Sequence, residues 1–254
     1  MNWSPTAAGE NANANQGAGA EADGPSVSPG DIVVDTEADS TTEAVVVNTP
    51  QLEAAEWTVP GRGRLSRLNP DYPATDGVVI VLERTVLERE YPYYADAGAI
   101  RMDRLKRDAV EPQAFPASRL RQVGKLEPSE LPLEKIEPSP YHSRTYDLDQ
   151  NRTFIEEISD RGYPDPTPYV RHCGNRFEVI DGNKRLWASR VAGLNVVPCR
   201  CGYLDDVTAA KKWVASHYET YDAVEMDEAR KRLRSKFGSQ AADIEAAGKR
   251  IARR

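Results

Sequence analysis

The chain of 254 residues is poor in cysteine, histidine and methionine, with three of each, and has only four phenylalanines. Cys173, Cys199 and Cys201 are odd in number and close together, which argues against a disulfide scaffold and makes a reducing, cytoplasmic setting the default expectation. No apolar run approaches the roughly 20 residues that a membrane helix requires, so no bilayer span is expected. The N-terminus lacks a basic stretch followed by an apolar one and does not read as a secretory signal. The sharpest shortage is of positive charge. Met1–Glu56 carries ten acidic side chains and no Lys or Arg, which leaves 30 acidic against 33 basic residues for Trp57–Arg254. The formal charge of −7 therefore joins a −10 tail to a +3 body, and the acidic balance does not exclude a polyanionic partner.

The tail, residues 1–56, reads as disordered, because Gly9–Gly24 is built mainly from Ala, Asn, Gly, Glu and Gln and cannot offset the entropy of ordering. Ile32–Val34 and Val45–Val47 are its only apolar runs, and both lie among acidic and Thr residues. Residues 57–130 read as a small α/β extension of unknown role. Gly77–Leu82 (GVVIVL) has the continuous β-branched character of a buried strand, and Ile100–Val110 has helical spacing. From Leu131 the pattern sharpens. A strand is expected at Leu133–Ile136, a loop at Pro138–Tyr146, a helix at Gln150–Arg161 ending on Gly162, and a strand at Arg176–Ile180. A helix follows from Asn183 to Ala192, stopped by Gly193, then a strand at Val196–Cys201. Helices are expected at Val207–Glu219, Asp227–Phe237 and Ser239–Ala252. Strands and helices alternating over short connections indicate an α+β (mixed α/β) domain.

Phe177–Cys201 (FEVIDGNKRLWASRVAGLNVVPCRC) carries most of the chemistry. A strand ends at Ile180, Gly182 permits a tight turn, and Asn183 can cap a helix that begins with Lys184 and Arg185. Such a terminus offers unpaired N–H groups and the positive end of the dipole, and two cations add charge-assisted hydrogen bonds, an arrangement that suits a phosphate. The same four residues also describe an ordinary helix start with two solvated cations.

In combination these segments resemble the ParB/sulfiredoxin fold and its ParB-like N-terminal domain. Gly182-Asn183-Lys184-Arg185 stands where ParB-like proteins usually have Gly-Glu-Arg-Arg. Ala192-Gly193-Leu194 and Val197-Pro198 follow as in the family, and Ser139-Pro140-Tyr141-His142-Ser143-Arg144 looks like its Asn-Pro-Tyr-Gln-Pro-Arg loop. The resemblance covers about Leu131–Tyr218. It implies a nucleoside triphosphate ligand, CTP by family, held by Gly182, Asn183, Lys184 and Arg185 with Arg144, and Mg²⁺ as a candidate companion. It also implies DNA as a partner in chromosome or plasmid partition, and a homodimer as the candidate assembly. Two departures stand out: Lys184 is a point charge where the family has a bidentate fork, and the family's Glu-Asn-x-x-Arg element is replaced near Ser216 and His217.

Sulfiredoxin chemistry is disfavoured, because Asn183 and Lys184 occupy the turn where its cysteine would stand and Cys173 lies in an earlier loop. An enzyme on this fold (nucleoside triphosphatase, kinase or nuclease) would need a base or metal carboxylate facing the turn. Glu156, Glu157 and Asp181 are nearest in sequence. An interaction protein with a decayed site is the third alternative. Cys199 and Cys201 share one face of a strand and, with His172, lack a second ligand pair, so they read as small buried hydrophobes and no metal is expected. His142 lies in the candidate loop. At the C-terminus nine basic residues, Arg230, Lys231, Arg232, Arg234, Lys236, Lys249, Arg250, Arg253 and Arg254, face only Glu228, Asp243 and Glu245 after Asp227. Arg230, Lys231, Arg234, Lys249 and Arg250 are the candidate nucleic-acid contacts, with a solvated face or a partner for the acidic tail as the alternatives.

Overall fold

The structure is a computed structural model and describes residues 27–38, 42–95 and 98–253. Its first half runs β1 (Asp31–Asp35), β2 (Ala44–Asn48), β3 (Thr58–Val59), β4 (Gly63–Arg64), α1 (Leu65–Leu68), β5 (Val78–Glu83), α2 (Arg84–Glu90), α3 (Met102–Arg107), β6 (Gln113–Pro116) and β7 (Leu120–Lys125). β3 and β4 make a small separate hairpin. The other five strands form an antiparallel sheet in the order β6-β5-β2-β1-β7. Alternation along β5 explains its unbroken apolar run. Val78, Ile80 and Leu82 pack with Val45, Val47, Leu87, Tyr91 and Leu105, whereas Val79 and Val81 pack with Val33, Val46 and Leu120 on the other face. Both faces are covered, so both sets of side chains must be apolar.

The expectation of a disordered tail over residues 1–56 is corrected here. Ile32–Val34 lies within β1 and Val45–Val47 within β2, and both strands are interior to the sheet. Each pentad is too short to order alone, but β5 and β7 supply the partners and the covered faces that local composition cannot reveal. The acidic residues sit at the strand ends and are satisfied there. Asp31 Oδ2 accepts the Ser28 N–H at 2.7 Å, and Asp35 takes the Arg119 guanidinium through bonds of 2.8 and 2.7 Å. The Arg119 bond holds the Asp35 carboxyl below its usual range, against the opposing effect of burial. Residues 1–26 and 39–41 of the expected tail lie outside the described residues.

The second half runs β8 (Ser129–Pro132), β9 (Ile136–Glu137), α4 (Arg152–Arg161), β10 (Tyr169–Cys173), β11 (Arg176–Asp181), α5 (Asn183–Val191), β12 (Val196–Gly202), α6 (Asp206–His217), α7 (Ala223–Phe237) and α8 (Ala241–Ala252). The expected strand at Leu133–Ile136 is instead a 3₁₀ turn, Leu133–Lys135, leading into β9. A mixed sheet forms in the order β8-β12-β10-β11-β9, with β10/β11 a hairpin and β10/β12 and β11/β9 parallel. Cys199 and Cys201 are fully buried in its core beside Val170, Val179 and Leu186, and burial pushes the Cys199 thiol up to about 12. They behave as small hydrophobes. The last three helices build a separate cluster on Trp213, Val214, Met226, Leu233 and Ile244. No described helix is long and apolar enough to cross a membrane.

The two sheets share a seam. Ala95 and Cys201 exchange backbone hydrogen bonds of 3.1 and 3.2 Å, and Tyr203 from just beyond β12 enters the core of the first sheet. His172 lies in this seam, stacked on Tyr93 and Tyr203 and edge-on to Phe177.

Candidate functional site

β11 delivers the chain to Gly182, which adopts φ +104° as the residue before α5. A Cβ there would stand 3.0 Å from Pro168 Cβ and 3.2 Å from Arg185 Nε, so both the conformation and the space require glycine. The turn thus packs against Pro168 in the loop preceding β10.

The three side chains that follow differ in role. Asn183 is buried; its Oδ1 accepts the Ser139 N–H at 3.2 Å, and its Nδ2 has no hydrogen-bond partner. The turn is thus tied to the 138–146 loop, with one buried donor pair left over. Lys184 is exposed, its Nζ 5.0 Å above the Phe154 ring of α4. Arg185, which the resemblance places on the phosphates, is instead turned inward. Its side chain is only 14% exposed, bonded to Asp181 Oδ2 at 2.9 Å and to the Pro166 carbonyl oxygen at 2.5 Å. Arg185 braces the turn from beneath. Asp181 is the carboxylate at the turn, already matched by Arg185, whereas Glu156 and Glu157 are exposed on α4.

Arg144 is engaged elsewhere. Its Nε and Nη2 meet Glu225 of α7 at 2.9 and 2.8 Å, Nη2 also donates to the Thr220 carbonyl, and the guanidinium carbon lies 4.2 Å from the Tyr221 ring centroid. The bond to Arg144 holds the Glu225 carboxyl below its usual range, and Glu225 also closes a capping box with Asp222. Sequence reading missed Glu225, although Asp222-x-x-Glu225 is a readable helix start. The structure therefore joins Gly182, Asn183, Lys184 and Arg185 in one turn and leaves Arg144 paired to α7.

His142 packs against Tyr146, and Tyr146 against Trp187 of α5, while His142 Nδ1 lies 2.9 Å from the Tyr221 hydroxyl. Burial, reinforced by His217 and nearby arginines, pushes its pKa down from 6.5 to about 4. His217, stacked on Trp213 and bonded to the Trp213 carbonyl through Nδ1, is shifted the same way by burial. A histidine held neutral in the fold but free to protonate when unfolded favours the native state above pH 6.5. That contribution is lost as pH falls from about 6.5 towards 4. Urea midpoints at pH 7, 5.5 and 4.5 should fall for the wild type and fall less for His142→Gln. Parallel curves for the two proteins would remove His142 from the acid response.

The basic C-terminus is less free than its composition implies. Arg230 pairs with Glu245 and Asp227, Lys231 with Glu228, and Lys249 with Glu245. Arg232 pairs with Glu228 and Lys236 with Asp206. Arg234 and Arg250 are exposed and have no carboxylate partner among the described residues. The α7–α8 cations are therefore in large part paired, Arg230 with Glu245 and Lys236 with Asp206 between helices and the others within one helix, and two of the five candidate nucleic-acid contacts are exposed without a carboxylate partner among the described residues.

With this geometry in place, a family model for the ParB N-terminal domain matches residues 117–216. A ParB N-terminal-like domain is thus detected over part of the chain, linking it to DNA-partitioning proteins. The match includes β7 of the first sheet and ends within α6. Among solved structures, the chain is similar to the C-terminally truncated chromosome-partitioning protein ParB from Caulobacter crescentus complexed with CTP-gamma-S. That likeness is at 23% identity, covering 47% of this chain and 70% of that one, with a TM-score of 0.33. It is similar also to the truncated protein complexed to the centromeric parS site, at 21% identity, covering 49% and 68%, with a TM-score of 0.32. No curated protein matches the chain.

Proposed function

We propose, from the ParB N-terminal-like domain at residues 117–216, that the Gly182 turn holds the phosphates of a nucleoside triphosphate and that the chain acts with DNA in segregation or a related transaction. The observation that carries this reading is the turn itself. A glycine at φ +104° packed on Pro168 opens a helix whose first side chains are a buried amide with an unpartnered Nδ2 and an exposed lysine. Backbone N–H groups, the Asn183 Nδ2 and the Lys184 ammonium would all donate to the same small volume. Arg185 would act by positioning the turn through Asp181 and Pro166. CTP is the nucleotide favoured by the resemblance, with Mg²⁺ balancing its charge, and Arg144 would join only by leaving Glu225. Arg234 and Arg250 are the cations best placed to meet DNA phosphates, in a monomer or a homodimer.

Calorimetric titration of the full chain with CTP, ATP and GTP, with and without Mg²⁺ and duplex DNA, tests this. Lys184→Ala should lose about 1.5–3 kcal/mol of nucleotide affinity, the scale of a hydrogen bond to a charged group, and keep the wild-type melting temperature. Arg185→Ala should weaken binding and also lower the melting temperature, because Asp181 loses its partner. Failure of every nucleotide to bind, or equal affinity in Lys184→Ala, would refute the assignment.

A further inference from the structure

The β3–β4 hairpin belongs to neither five-stranded sheet and takes no part in the proposed nucleotide site. Val59 pairs with Gly63, and between them Pro60, Gly61 and Arg62 make the turn. The Arg62 N–H donates to the Val59 carbonyl at 3.1 Å. Gly61 at φ +71° and Gly63 at φ +103° take backbone positions that side chains disfavour, and a Cβ on either would meet nothing within 4 Å. The tip is therefore slim and exposed, and its one long side chain is that of Arg62. Its root is fixed. The Leu65 N–H donates to the Trp57 carbonyl at 2.9 Å, and Leu65 is buried in the core of the first sheet with Trp57 and Val59 packed against it.

Three guanidinium groups gather on this projection. Arg62 stands at the tip, Arg64 on β4 and Arg67 on α1, and all three are exposed. Each arginine from Arg84 to Arg119 pairs with a carboxylate. None of these three does so among the described residues. Arg64 donates through Nη1 to the Ala55 carbonyl, which orients its fork and leaves its charge unmatched. Glu56, close by in the chain, turns its carboxylate instead to the Glu53 N–H at 3.0 Å. Three like charges on a rigid projection, adding no ion pair to the fold, create a local positive potential that a polyanion would complete.

We infer that this hairpin enters the minor groove of duplex DNA, with Arg62 in the groove and Arg64 and Arg67 on the flanking phosphates. Paired strands lie about 4.8 Å apart and the minor groove is about 6 Å wide, so a turn with glycines on either side of its arginine has the dimensions to enter. Arginine suits this place, because narrow A·T-rich grooves concentrate negative potential and attract it. An acidic protein surface is the rival anion, but a single arginine at the apex of a slim tip fits a groove better than a face. The contact shares only its partner with the proposed function. It needs neither a nucleotide nor Arg234 and Arg250.

Fluorescence anisotropy of the full chain at low salt, on an A-tract duplex and on a G·C-rich duplex of equal length, tests the inference. The wild type should bind the A-tract roughly fivefold or more tightly than its counterpart. Arg62→Ala should abolish that preference at an unchanged melting temperature, since no hydrogen bond or ion pair of this side chain holds the fold. Arg67→Ala should weaken binding to both duplexes alike and reduce the slope of log affinity against log salt by about one. A dye that fills the minor groove should compete with the wild type. An unchanged preference in Arg62→Ala would overturn the inference, as would binding that the dye leaves intact, or binding to an acidic polypeptide but to neither duplex. Loss of DNA binding in the Arg234→Ala, Arg250→Ala double variant, with Arg62→Ala like the wild type, would sink the hairpin contact and leave the proposed function standing. The converse would sustain the hairpin and sink the C-terminal contact.

Discussion

A chain lacking residues 1–50 is expected to lose the cooperative unfolding transition of its first sheet. β1 and β2 are the fourth and third of five strands, so their removal strips β5 of one neighbour and β7 of the neighbour it has. Val33, Val45, Val46 and Val47 are fully buried on the two faces of that sheet. At about 1.5–3 kcal/mol for each buried aliphatic side chain, their loss amounts to roughly the whole net stability of a domain, which is about 5–15 kcal/mol. Thermal melts followed by far-UV circular dichroism would show a broad, low-amplitude transition. The milder variant Val46→Asp, which places an unpaired charge among Val33, Val79 and Val81, should lower the midpoint steeply in the same experiment. An unshifted midpoint in either protein would mean that the N-terminal strands contribute nothing to the fold.

Gly248→Ala should destabilise the helical cluster although alanine is the better helix former. α8 crosses α6 at this glycine, and an added Cβ would lie 2.5 Å from Val214 Cβ, 2.6 Å from its Cγ1 and 2.8 Å from the Lys211 carbonyl oxygen. Intrinsic propensity favours alanine by about 1 kcal/mol, whereas overpacking a fixed interface costs about 1–3 kcal/mol or more. The carbonyl belongs to the α6 backbone and has little freedom to yield, so the steric effect wins. A net loss of about 2 kcal/mol corresponds to a melting temperature lower by roughly 4–8 °C in a chain of this size. A rise instead would show that the helices separate easily and that their close approach carries little energy.

The elements around the candidate turn were legible because their signals are local. Gly162, Gly182 and Gly193 all adopt positive φ where the sequence pattern required a stop or a turn. The 3.6-residue spacing around Ile158 and the β-branched run before Asp181 likewise place α4 and β11 within a residue or two. What escaped is written in contacts between distant residues. Arg144 and Glu225 are 81 residues apart, so no window shows that the family's loop arginine is already engaged. Arg185 lies within reach of Asp181 by sequence, but the Pro166 carbonyl that draws its guanidinium inward comes from another loop. Composition misled most in the tail, where the average over 56 residues concealed two pentads that order only against β5 and β7. The same averaging overstated the free charge of α7 and α8, because five of their cations are spent on carboxylates.

The placement of β1 also has a consequence for the order in which the chain can fold during synthesis. Asp31–Asp35 pairs on one side with Ala44 and Val45 close by, but on the other with Leu120–Lys125, and Asp35 is neutralised by Arg119. At about 5–20 residues per second on the ribosome, the strand waits roughly 5–20 seconds for that partner to be made. Until then the valines of β1 and β2 form a sheet edge without a mate, and pairing so far apart in sequence closes slowly even once both strands exist. The first sheet is thus the nascent chain's period of exposure to aggregation, and its completion coincides with the emergence of the residues that begin the ParB N-terminal-like domain.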